Sequence, residues 1–99
     1  MAVRLVPRPR KYDLEAGGKL IPLRPSEAVL MSRLMGAKGF VTMNDLIDAL
    51  YGMEPDGGPL TADECVRVNM SRIRRKLGGT GVRIVGRSWH GYMIEDAAQ

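Results

Sequence analysis

Residues 61–94 place the tightest limit on this chain. Between Cys65 and Ile94 there is no aspartate or glutamate, yet Arg67, Arg72, Arg74, Arg75, Lys76, Arg83 and Arg87 all fall there. The same window carries the punctuation of a helix, a break and a hairpin. Thr61 followed three residues later by Glu64 is a capping-box pattern. Gly78 and Gly79 stop the helix near Leu77. Residues 82–85 and 92–94 read as short strands joined by a turn around 87–91. An acid-free helix-plus-hairpin suits a polyanion, which makes DNA the first expected partner.

Helix geometry sharpens that expectation. At about 100° per residue, Val66, Met70, Ile73 and Leu77 form one narrow apolar stripe. Val68 lies roughly 200° away from it, on an outer face shared with Glu64, Ser71, Arg72 and Arg75. Arg67, Asn69, Arg74 and Lys76 flank the stripe. Solvation alone accounts for arginines on an outer face but not for a valine among them. In a major groove, an apolar group can meet a thymine methyl and an arginine can bridge guanine.

Upstream, the pattern supplies the rest of one domain. Two short strands, 12–15 and 19–23, surround the Gly17–Gly18 turn as a short N-terminal β-hairpin. Pro25 suits the first position of a helix and Glu27 its first turn. Leu30, Met31, Leu34 and Met35 repeat at helical spacing, so helix 1 spans about 25–37. Thr42 with Asp45 opens helix 2, whose face is Leu46, Ile47, Leu50 and Tyr51 and which Gly52 stops. Residues 53–60 form a loop. Residues 1–10 read as a basic arm with a short strand at 3–6, residues 11–95 as the domain, and 96–99 as a tail. The fold class is α+β: three helices closed by a C-terminal hairpin, a winged helix-turn-helix.

The formal net charge of +4 is unevenly spread. Arg4, Arg8, Arg10 and Lys11 precede an acidic middle, and the basic window follows it. One cysteine, Cys65, excludes an internal disulfide and suits a reducing, cytoplasmic setting. Neither a secretory signal nor a membrane-length apolar run is present. Cys65 and the single histidine, His90, have no cluster to join, so no metal, no cofactor and no catalytic set is expected, and the protein is not read as an enzyme.

Residues 66–78 (V-R-V-N-M-S-R-I-R-R-K-L-G) resemble the recognition helix of OmpR/PhoB-type response regulators, which typically reads V-D-V-H-I-x-R-L-R-x-K-L. Leu23, Arg24, Pro25, Ser26 and Glu27, followed by Leu30, Met31 and Leu34, are similar to that family's L-T-x-x-E-x-x-L-L-x-x-L. Residues 41–52 are similar to its second helix, with Tyr51 and Gly52 in place of Trp-Gly, and Gly91 and Tyr92 match the end of its wing. The region around Leu50–Gly52 and Glu54–Pro55 is also similar to a cell-cycle regulator of this type. The resemblance covers about residues 12–95. It departs at Arg24 (usually Thr), Arg67 (usually Asp), Asn69 (often His) and Ser88-Trp89-His90, and the module is expected to act without a receiver domain before it.

The resemblance implies a transcription regulator with residues 61–78 in the major groove and a wing at 86–91 by the minor groove. Arg72 would be the main base reader, with Val68 against thymine and Arg67 nearby. Asn69, Arg74 and Arg75 would hold phosphates, and Ser71 shares their face. Arg87, Ser88, Trp89 and His90 would form the wing contact. The 53–60 loop would reach RNA polymerase, against the alternative of a solvated connector. The expected partner is double-stranded DNA, not a membrane, and the expected state is a monomer that pairs on DNA. A bacterial or phage-borne stand-alone regulator and an excised domain both fit. Two rival readings remain: a module that binds RNA polymerase or a host regulator, and a non-specific architectural DNA binder.

Overall fold

Apolar alternation builds the N-terminal sheet. Leu14 and Ala16 on β2 (Lys11–Ala16) and Ile21 and Leu23 on β3 (Lys19–Leu23) are buried, while Lys19, Leu20 and Pro22 are exposed. The computed structural model describes residues 3–9, 11–55 and 58–96. In it, β1 (Val3–Arg8) pairs antiparallel with β2, and Leu5 stands opposite Leu14, which stands opposite Ile21. The sheet is thus three-stranded, order β1-β2-β3, not the expected hairpin preceded by an arm. The strand expected at 3–6 is there, but it runs on to Arg8 and pairs into the sheet instead of standing in a separate arm. Arg4 bonds Glu15 at 3.0 Å and Arg8 bonds Asp13 at 2.9 Å, so these two bases arrive with partners. Arg10 and residues 97–99 of the expected tail lie outside the described residues, as do Asp56 and Gly57 of the 53–60 loop.

Three helices follow: α1 (Pro25–Met35), α2 (Met43–Tyr51) and α3 (Ala62–Lys76). A second sheet, β4 (Val82–Arg87) with β5 (Gly91–Asp96), closes the chain as an antiparallel pair. Three helices with two small antiparallel sheets make an α+β fold compatible with a winged helix. The buried stripe of α3 is the expected one: Val66, Met70, Ile73 and Leu77 pack with Leu30, Met31 and Leu34 of α1 and Leu46 of α2. Each such fully buried aliphatic side chain contributes roughly 2 kcal/mol.

The helix ends hold two departures. Thr42 caps α2 as expected, its Oγ1 accepting from Asp45 N–H at 3.2 Å. Thr61 stands at the N-cap of α3 but makes no side-chain cap bond, so the expected Thr61–Glu64 box is absent. A reciprocal half-box occurs instead at α1, where Glu27 Oε1 accepts from Arg24 N–H at 2.8 Å. The Arg24 guanidinium has no acceptor atom to complete it.

Glu27 does more than cap. Its side chain is fully buried, and Lys76 Nζ donates to Oε1 at 2.6 Å and to Pro22 O at 3.1 Å. One carboxylate therefore joins the end of β3, the start of α1 and the last turn of α3. Removing one partner of a buried pair leaves the other charge uncompensated, at a cost of roughly 3–5 kcal/mol. Lys76 keeps 31% of its side chain exposed, which lowers that figure. Lys76→Met should destabilise the protein by about 3 kcal/mol, read from the urea midpoint. An unchanged midpoint would show that the pair does not hold the two helices.

Candidate nucleic-acid interface

The outer face of α3 is set by what its inner face must bury. Once Val66, Met70, Ile73 and Leu77 turn inward, Val68, Ser71, Arg72 and Arg75 stand together outside, at i, i+3, i+4 and i+7. Val68 is 47% exposed. Neither the Arg72 nor the Arg75 side chain has a hydrogen-bond or ion-pair partner among the described residues. The first turn holds Asp63 and Glu64, which suit the helix dipole but repel an anion. The usable cationic face therefore runs from Arg67 toward the C-terminus.

Of the other α3 bases, two are committed within the fold. Lys76 is the internal ligand of Glu27. Arg74 donates from Nε to Ile84 O at 3.1 Å, and its guanidinium lies 5.8 Å from the Tyr92 ring centre. Gly86 allows this crossing, since a Cβ there would come within 3.0 Å of both Arg74 Nη2 and Tyr92 Cε1. Arg67 pairs with Asp63 at 3.1 Å, one turn back. Such an exposed i,i+4 pair contributes only about 0.3–0.5 kcal/mol, so an incoming phosphate could displace it.

Asn69 is corrected by the structure. The resemblance implied a phosphate contact for it, but the residue is buried. Its Oδ1 accepts from Ser26 Oγ at 3.0 Å, and its Nδ2 donates to Cys65 O at 2.8 Å. It fastens α3 to α1 instead. Close by, hydrogen bonding with Cys65, and then burial, raises the Tyr51 phenol above its ordinary pKa.

One short bridge ties the hairpin to the segment just before α2. Val41 N–H donates to Tyr92 O at 2.7 Å, and Tyr92 N–H donates to Val41 O at 3.0 Å. Gly91, at φ +99°, makes this approach possible, because a Cβ there would sit 1.9 Å from Val41 O. At the tip, His90 N–H donates to Arg87 O at 3.2 Å, closing the turn. Arg87 and His90 both lean on Phe40, their groups 5.9 Å and 5.6 Å from its ring centre. Ser88 and Trp89 are exposed, Trp89 completely. Trp89 also has φ +70°, a left-handed conformation that costs a non-glycine residue roughly 1–3 kcal/mol.

Between α3 and the hairpin lies a cavity of about 870 Å³. Arg67, Arg74, Arg87, Ser88 and Trp89 line it, so the structure brings together predicted residues from both elements. Thr42, Met43 and Asn44, the N-terminus of α2, form another wall that the sequence reading did not assign. The Thr42–Asp45 cap located that helix start, whose backbone N–H groups favour anions. None of the lining residues is acidic. Among the described residues, no cluster of three or more His, Cys, Asp or Glu could hold a metal, and no helix is long and apolar enough to cross a membrane.

No family model and no curated protein matches this chain. A solved structure of a RitR mutant matches with a TM-score of 0.69 at 24% identity, covering 85% of this chain and 37% of that one. This chain thus spans little more than a third of that protein's length. The likeness is one of fold.

The bridge generates a direct test. Gly91→Ala should destabilise the protein by roughly 3 kcal/mol, through backbone strain and loss of the Val41 contact. Thermal unfolding would check it, and an unshifted melting temperature would mean that the hairpin is not fixed by this bridge.

Proposed function

We propose that this protein is a winged-helix regulator that binds double-stranded DNA with sequence preference. In this reading α3 enters the major groove, the β4–β5 hairpin is the wing at the adjacent minor groove, and the role is binding rather than catalysis. The observation that carries it is the pairing of Val68 with unpartnered Arg72 on one exposed face, beside an acid-free basic cavity. Arg72 takes the base-reading role, and Val68 suits a thymine methyl. Arg75, Arg67 and Arg87, with the start of α2, suit phosphates and set register. Asn69 leaves the contact set, since it is buried in the fold, and so does Arg74, which is committed to Ile84 O and Tyr92.

A second reading has its own support. Met53 and Leu60, at the two ends of the α2–α3 connection, are fully exposed apolar side chains near Glu54. That surface suits a protein partner such as RNA polymerase, either alongside DNA binding or in its place.

Two measurements separate these readings. Arg72→Ala should cost about 1–3 kcal/mol on a preferred site and relax preference at one base pair. Selection of bound sequences from a random duplex pool supplies the site. An unchanged ratio of specific to random binding would remove Arg72 as a reader. The seven bases of residues 65–94 taken alone suggest a log–log salt slope of about −4 to −6. With Lys76 and Arg74 committed within the fold and Arg83 paired to Glu95, about three to four phosphate contacts remain, giving a slope near −3 to −4. A slope near zero would favour the protein-partner reading.

A further inference from the structure

We infer that Trp89 is a stacking wedge, an indole held out from the hairpin tip to lie against nucleotide bases in the groove next to the one α3 occupies. The inference rests on the DNA-binding reading above and adds a contact that depends on neither hydrogen bonding nor charge. Three observations support it. Trp89 is completely exposed, although an indole gains more from burial than almost any other side chain. Its neighbours are folded back: Arg87 and His90 lean on Phe40, and Ser88 O contacts His90 Nδ1 at 3.0 Å. The tip therefore projects one large side chain from an anchored turn. Finally, the backbone holds Trp89 at φ +70°, where glycine would be at ease. A strained, solvent-exposed aromatic contributes nothing evident to the folded chain and suits an external partner.

The surroundings select the partner's chemistry. Trp89 lines the same cavity as Arg67, Arg74 and Arg87, with no acid among the lining residues. Such a rim favours a polyanion over an acid-poor protein or a neutral surface. Aromatic and apolar side chains that enter a minor groove stack on or part its base steps, using shape and deformability rather than a base code. Trp89 would thus favour flexible pyrimidine–purine steps beside the sequence read by Arg72.

Trp89 is the only tryptophan in the chain, so its emission reports this side chain alone. The experiment titrates the full chain with a fluorescein-labelled, mixed-sequence duplex of about two helical turns at low salt. Label anisotropy follows binding, and indole emission with acrylamide quenching follows Trp89. Binding should quench the emission and shield the indole from acrylamide. Trp89→Ala and Trp89→Gly should each weaken binding by about tenfold, the loss of one stacked base, while Trp89→Phe keeps most of it. Trp89→Gly should melt no lower than the parent, which separates lost contact from lost fold. If anisotropy reports binding while indole emission and accessibility stay unchanged, the wedge is overturned and the DNA-binding reading stands. If no duplex binding occurs, both fall. Shielding of the indole at raised protein concentration without DNA would place Trp89 in self-association and overturn the wedge as well.

Discussion

One buried carboxylate sets the frame on which everything else is mounted. Glu27 has no exposed surface, and its Oε1 accepts both from the Arg24 backbone and from the Lys76 ammonium. The first bond starts α1, and the second fixes where α3 ends relative to it. Because Lys76 also reaches Pro22 O, the N-terminal sheet is tied to the same point. Oε2 has no partner among the described residues, so the whole compensation of a buried charge passes through Oε1. A hydrophobic stripe alone would let α3 slide or roll by part of a turn. A directional charge-assisted bond at its last turn removes that freedom, and so fixes which residues face outward.

The second constraint is how the hairpin meets the helices. The Val41–Tyr92 bridge makes β5 continue into the connection before α2, so the cavity wall formed by Thr42, Met43 and Asn44 moves with the hairpin. Arg74 braces the opposite side, bonded to Ile84 O and laid over Tyr92 across Gly86. Helix, hairpin and the start of α2 are thus bonded to one another around the cavity.

Much of this was legible from side-chain periodicity. The inner stripe of α3 and the exposure of Val68 followed from helical angle, because residues at the centre of a face have no ambiguity. Residues at its edges do. Asn69 and Lys76 lie on the flank, and their inward turn depends on Ser26 and Glu27, more than forty positions away in sequence. No local rule supplies those partners. The Thr61–Glu64 pattern failed for a similar reason: a capping motif permits a bond, but the backbone at Thr61 (φ −98°, ψ 29°) leaves the usual cap region. A short strand was legible at 3–6, but its extension through Pro7 to Arg8 and its place in the sheet were not, because they depend on pairing with β2, where Glu15 and Asp13 meet the arginines. The cavity could not be foreseen at all, since it exists only where three separate segments meet.

The Arg67–Asp63 pair changes how this surface treats anions in general. A bare arginine attracts any polyanion. One that carries its own carboxylate a turn away is already neutralised, and must be drawn off by a competitor held in the right place. Loose or misaligned encounters leave the internal pair closed and gain nothing from it. In the proposed DNA-binding reading, a well-seated phosphate would open the pair and gain the contact. The phosphate still sheds its condensed cation in such an exchange, so the contact would keep its share of the salt dependence while its net gain is reduced by the small cost of opening the pair. Under the DNA-binding reading proposed above, the helix would hold one of its charges in reserve for a ligand that fits.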